Sequence, residues 1–325
     1  MPATVSRIEA VIKKLDRLRT SAGVAQRVLQ LMENPEFDVN QVVRLLEGDP
    51  ALASQILKLV NSSYFGLSRK VASLRQAVAC LGTHTLRLAL LNYGVLQCMV
   101  SAMPPARREE FLRHSLTVAV VAEKLSRIHQ LEQPDEAYCA GLIIDIGVLA
   151  LLEAERQAYV PLLEKSAFDR HLAQAEQSLL GFDHAELGAR LLDAWKLPAA
   201  VSAAVASHHH TPNANTDELS LVVQVAAVTA ESLWTPDQGR VVEARTLLAR
   251  HYEMGVDDYI QLAMDCKQWL QENAAVMSLE LRSEIDVAVL RAKAMERFVA
   301  ESVAAAVELD GVEALTNQTP LMPPC

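Results

Sequence analysis

Residues that interrupt helices are scarce. Only 12 glycines and 13 prolines are spread over 325 residues, too few for a turn-rich β architecture, and the fold class implied by composition is all-α. Cysteine is sparse as well. The five, at 80, 98, 139, 266 and 325, are odd in number and form no close CxxC pair, which argues against a disulfide framework or a zinc knuckle and suits a reducing cytoplasm. Positive charge is in deficit, with 30 Lys and Arg against 40 Asp and Glu, a net charge of −10 and a pI near 5.4. Such a chain lacks the basic surface by which a general nucleic-acid binder displaces counterions, so no nucleic-acid partner is expected. Long uncharged apolar runs are missing too: Asp145 interrupts one, and Arg87, Asn92 and Gln97 another, short of the roughly 18 to 20 residues that span a bilayer. The opening stretch, MPATVSRIEAVIKKLDRLRT, is charged throughout and has no signal-peptide core. Neither secretion nor a membrane span is expected.

What is present is a run of helical patterns whose 51% apolar content can build a substantial core. Ile8, Ile12, Leu15 and Leu18 recur at helical spacing, with Lys13, Lys14, Arg17 and Arg19 on the other surface. This amphipathic helix, residues 1–21, is expected to dock on its own domain. A second helix through Val24, Val28 and Leu31 should stop at Asn34-Pro35. Asp38 can cap the helix of Val42, Val43, Leu45 and Leu46, Gly48 ends it, and Asp49-Pro50 starts another. Asn61 can bond a nearby backbone group. Ser73 with Gln76 reads as a capping box, Gly82 as the end of that helix and Thr83 as the start of the next. Met103-Pro104-Pro105 breaks the pattern again. Asp183 can cap the helix of His184, Leu187, Leu191 and Leu192, which closes at Trp195 and Leu197-Pro198. Periodicity persists to residue 307 and is then lost in ELDGVEALTNQTPLMPPC, a frayed tail at 308–325.

The stretch GLIIDIGVLALL, Gly141 to Leu152, places one carboxylate, Asp145, in an otherwise apolar run. A buried aspartate is costly unless a cation, a metal or a hydrogen-bond donor meets it. His114, His184 and the run His208, His209 and His210 are the candidate partners. His114 lies four residues before Val118 on the stripe Val118, Val121, Ala122 and Leu125, and so can point inward. The histidine run also reads as a solvated helix end, where imidazolium groups would favour the negative end of the helix dipole.

The segment Ala22 to Leu96, with LLEGDPALASQILKLVNSSYFG and VASLRQAVACLGTHTLRLAL, resembles the N-terminal part of the bacterial HDOD family. The likeness continues through GFDHAELG, the W-x-LP turn and the paired histidines to about residue 211. It implies an N-terminal helical subdomain at 22–105, a degenerate HD-like subdomain at 106–215, and further helices at 216–307. It also implies kinship with HD-superfamily phosphohydrolases, in which a divalent metal activates water for attack on phosphate. By that match His114 is the first histidine, Asp145 the aspartate of the HD doublet, His184 the later helical histidine, and His208 with His209, or His209 with His210, the HH pair. Ile144 replaces the doublet's histidine, Val148 a lysine and Ala227 a later aspartate. Isoleucine and alanine cannot ligate a metal.

The expectation is therefore a noncatalytic signalling scaffold that binds other signalling proteins. No catalytic residue and no obligatory cofactor are expected. His114, Asp145, His184, His208 and His209 are the frame of a vestigial site for Zn, Mn or Fe. The alternatives are a metal-dependent phosphohydrolase of a nucleotide or cyclic dinucleotide, and a sensor that binds a nucleotide without cleaving it.

Overall fold

A computed structural model of the chain describes residues 2–19, 37–48, 71–90, 103–131, 134–195, 197–273 and 282–296, with single positions between 28 and 61. Among these the ordered elements are all helices: α1 (Pro2–Arg19), α2 (Val39–Glu47), α3 (Leu74–Leu90), α4 (Pro105–Ile128), α5 (Pro134–Leu142), α6 (Ile146–Ala154), α7 (Arg156–Leu163), α8 (Arg170–Leu180), α9 (His184–Ala194), α10 (Ala199–Ser207), α11 (Glu218–Trp234), α12 (Gln238–Tyr252) and α13 (Val256–Asn273). Residues 287–296 are also helical. The all-α expectation is met. The boundaries expected at Asn34-Pro35 and Asp49-Pro50, and the tail at 308–325, lie outside the described residues.

Aspartate starts many of these helices. Asp38, Asp169, Asp183, Asp217 and Asp237 each accept a backbone N–H of the first turn at 2.8–3.0 Å, and a cap of this kind contributes about 1 kcal/mol. Ser73 Oγ accepts from Gln76 N at 3.2 Å. Gly82, at φ 69° and ψ 172°, bends α3 where a helix end was expected, a backbone state that glycine alone adopts without strain. The Asn61 amide holds both sides of the residue 71 backbone: its Nδ2 donates to Val71 O and its Oδ1 accepts from Val71 N, each at 2.7 Å.

The helix α4 forms the axis. Val118, Ala119, Val120, Val121 and Ala122 are all fully buried, so the helix is covered on every side along this stretch, as an apolar stretch must be. It packs against α5, α11 and α13, while α9 packs on α6 and α10. The helices beyond residue 215 thus close directly over the middle of the chain. Glu136–Ala154 is the one stretch among the described residues long and apolar enough to cross a membrane, with mean hydropathy 1.9, and 94% of it is buried. It is not one straight rod, because the turn at 143–145 separates α5 from α6.

At the other end of the chain, α1 lays Ile8, Val11 and Leu15 into the core against α6 and α9. Two of its basic side chains reach further. Arg7 donates to Leu180 O, at the end of α8, at 3.3 Å, and Lys14 Nζ donates to Ala154 O, at the end of α6. Cations on unpaired terminal carbonyls suit the negative end of a helix.

Candidate metal centre

Asp145 occupies the N-cap position of α6 at φ −99° and ψ 24°, yet its side chain caps nothing. Its carboxylate turns to the histidines instead. Oδ1 lies 3.3 Å from His184 Nε2 and 3.5 Å from His208 Nε2, and Oδ2 lies 3.5 Å from His114 Nε2. His184 is the first residue of α9, set in place by the Asp183 cap. His208 follows the last residue of α10, and His209 Nε2 lies 2.9 Å from His184 Nε2. Such convergence requires α6 and α9 to meet backbone to backbone. A Cβ on Gly147 would stand 2.0 Å from His184 O, so any side chain there would drive Asp145 away from its partners.

The structure brings His114, Asp145, His184, His208 and His209 together and leaves His210 exposed. The reading of the histidine run as a solvated helix end is corrected for the first two members. His208 is buried and His209 half-buried. The carbonyl of Ser207 at the helix end is already taken by Gln224 Nε2 of α11 at 3.0 Å. Burial, together with the neighbouring His208 and His184, holds His209 well below the usual histidine range.

Burial alone would also lower His184, but Glu176 and Asp145 on either side raise it well above the ordinary value. Burial would raise Asp145, but the neighbouring His184, His208 and His114 imidazoles hold it well below the usual carboxylate range. His114 is pushed down by burial against the opposing pull of Asp145. His184 thus lies between two carboxylates, Glu176 on its Nδ1 side and Asp145 on its Nε2 side.

The donor set fits a single divalent ion. One ligand atom from each of Asp145, His184, His208 and His209 can be chosen so that all lie within 4.8 Å of one another. Ligand atoms bound at about 2.1 Å in a tetrahedron lie about 3.4 Å apart, which matches the 3.3 Å and 3.5 Å separations of His184 and His208 from Asp145 Oδ1. Asp145 Oδ2 and His208 Nε2 are buried without a hydrogen-bond partner, the kind of orphaned lone-pair atoms a cation would satisfy. Ile144 and Val148 are fully buried and Ala227 nearly so. None of the three can add a ligand for a second ion.

Glu176 was not singled out from sequence. It is fully buried on α8, with Oε2 2.6 Å from His184 Nδ1 and 2.7 Å from His184 N, and its Oε1 receives the Tyr159 hydroxyl. Its signal is positional: Glu176 falls on the apolar stripe of Leu172, Ala173 and Leu180, where a carboxylate is out of place unless it has partners inside. Outside the cluster, His209 and His210 line a cleft with Arg170, Glu231, Glu243 and Leu247. Arg170 pairs with Glu243, and Arg240 pairs with the buried Asp169 at 2.7 Å. Burial, then the charge of Asp169, pushes Glu231 up to about 8.

Known proteins share this architecture. The model of the HDOD domain family matches residues 18–211. An uncharacterized protein of Treponema pallidum is 26% identical over 218 residues, which is 65% of this chain and 42% of that protein. The chain thus spans less than half the length of this curated relative. Among solved structures, an HDOD domain protein of unknown function from Geobacter sulfurreducens aligns with a TM-score of 0.58 at 20% identity, covering 84% of this chain and 99% of that one. A provisionally named phosphohydrolase of Shewanella amazonensis gives 0.54 at 20% identity, covering 88% of this chain and 93% of that one. A provisionally named signal transduction protein of Marinobacter aquaeolei gives 0.54 at 17% identity, covering 89% and 66%. At these identities the likeness to the solved structures is one of fold.

Proposed function

Because the chain belongs to the HDOD domain family, we propose that it is a noncatalytic regulator of bacterial signal transduction, a cytoplasmic helical scaffold that other signalling proteins bind. The observation that supports this reading is the burial of Asp145, His184 and His208 among apolar side chains that supply no further ligand. By the family resemblance Ile144 and Ala227 take the places of a histidine and an aspartate of catalytic relatives, and both are buried. Asp145, His184 and His208 are themselves no more than 2% exposed, so a phosphate ester cannot reach them. Its approach through the neighbouring cleft would meet the Glu243 carboxylate, and the Arg170 guanidinium there is already paired with it.

In this reading Asp145, His184, His208 and His209 hold one divalent ion that ties α6, α9 and α10 together. When bound, the ion neutralises the inward lone pairs and adds a cross-link to the fold. The chain's own residues do the rest: Asp145 leaves its capping role to face the cluster, and Gly147 admits the close approach of α6 to α9.

A second reading, metal-dependent hydrolysis of a nucleotide or cyclic dinucleotide, is favoured by one observation: the motif histidines do gather around Asp145. The provisional name of the Shewanella amazonensis structure points the same way. Elemental analysis of chelator-free protein, followed by assays with added Mn²⁺, Fe²⁺ or Zn²⁺ against nucleotides and cyclic dinucleotides, separates the two. The scaffold reading expects no turnover with any ion, and affinity capture of a signalling protein that Asp145→Asn does not abolish. Turnover that disappears in Asp145→Asn would overturn it.

A further inference from the structure

The ligands of the cluster are oriented from outside it. A carboxylate only accepts, so the 2.6 Å contact between Glu176 Oε2 and His184 Nδ1 places a proton on Nδ1. In the neutral imidazole the lone pair is then on Nε2, the atom that faces Asp145 Oδ1 at 3.3 Å and His209 Nε2 at 2.9 Å. His208 is held in the same sense, its Nδ1 donating to Val205 O at 2.7 Å and leaving Nε2 free to face Asp145. The two supports differ in strength. A carbonyl polarises an imidazole modestly, whereas a carboxylate makes the ring a better donor to a metal.

Glu176 is in turn fixed at both oxygens. Oε1 receives the Tyr159 hydroxyl from α7, and Oε2 receives both the backbone N–H and the ring N–H of His184. It cannot rotate without breaking a buried bond. Tyr159 is itself buried, and its hydroxyl is driven well above the ordinary tyrosine range by burial and by the charge of Glu176, so it remains a donor.

We propose that Glu176 is a positioning residue for the metal centre: held by Tyr159, it selects the ring orientation and tautomer of His184 and thereby sets the affinity of the site for a divalent ion. This rests on the single-ion reading of the Asp145 cluster. A purely structural Glu176 would tie α8 to α9 and leave metal affinity alone.

The test uses the full chain with Co²⁺ as probe, following the visible absorption of the bound ion during titration, beside thermal melts with and without it. Glu176→Gln keeps the side-chain size and an acceptor but removes the charge. The expected result is a 10- to 100-fold weaker Co²⁺ Kd, in the range found when the hydrogen-bond partner of a metal-ligating histidine is changed. The stabilisation that Co²⁺ confers should shrink in step, and Tyr159→Phe should shift the Kd in the same direction by a smaller factor. If Glu176→Gln fails to fold, Tyr159→Phe carries the comparison. An unchanged Co²⁺ Kd and spectrum in the folded variants would overturn the positioning role while leaving the single-ion reading intact. If the wild-type chain itself gives no saturable Co²⁺ spectrum, the single-ion reading falls and the role of Glu176 falls with it.

Discussion

Replacing Glu231 by glutamine should stabilise the protein, and by an amount that grows with pH. Glu231 sits half-buried on α11, facing Asp169 and Glu243 and the guanidiniums of Arg240 and Arg170. Burial and the Asp169 charge outweigh the two arginines and push its carboxyl from 4.5 up to about 8. In the unfolded chain the same group ionises near 4.5, so between these values unfolding releases a proton. The stability this carboxyl contributes is complete below pH 4.5, falls as pH rises towards about 8, and is constant beyond. Linkage gives a loss of about 1 kcal/mol at pH 5, about 3 at pH 7 and about 5 at pH 9, each an upper bound that water at a partly exposed site cuts to roughly half. Glutamine cannot ionise and escapes the loss. Urea unfolding of wild type and Glu231→Gln at pH 5, 7 and 8.5, at fixed ionic strength, measures the difference directly. A difference that stays flat across this range, or a variant less stable than wild type at pH 8.5, would refute the reasoning.

Other perturbations follow from the same contacts. Gly147→Ala puts a methyl against the His184 carbonyl and should cost about 3 kcal/mol or more in urea unfolding, with loss of Co²⁺ binding because α6 must withdraw Asp145. Arg240→Ala strands the buried Asp169 carboxylate and should cost about 2–4 kcal/mol; Arg240→Lys should restore part of it, and equal melting of all three proteins would count against the pairing. Zn²⁺ at a hundred times its Kd should raise unfolding stability by about 2.7 kcal/mol, an increment that calorimetry should find missing in Asp145→Asn.

Much of the fold can be read from local chemistry. Asp38, Asp183 and Ser73 announce helix starts because a cap needs only its own first turn, and each makes the expected backbone bond. Asp145 was legible for a different reason: a lone acid in an apolar run has to be met by something. Glu176 and the Arg240–Asp169 pair escaped because their partners are set by packing between helices. Arg240 meets Asp169 across 71 positions, a distance that no periodicity encodes. Glu176 acts on a histidine only eight residues away, but across the α8–α9 turn, whose left-handed Gly181 at φ 84° sets the angle. The histidine run shows the opposite failure. Its residues were easy to see, yet whether they face water depends on Gln224 of α11 arriving to cover the end of α10.

The seat of α1 also has a consequence in time. Lys14 and Arg7 rest on Ala154 and Leu180, which lie 140 and 173 positions later in the chain. At roughly 5–20 residues per second of synthesis, the helix leaves the ribosome on the order of ten to forty seconds before both of its seats exist. Throughout that interval Ile8, Val11 and Leu15 have no native surface to cover. Synthesis of α1 thus long precedes its placement, and a nascent chain stalled before residue 154 displays an apolar stripe that the folded protein conceals.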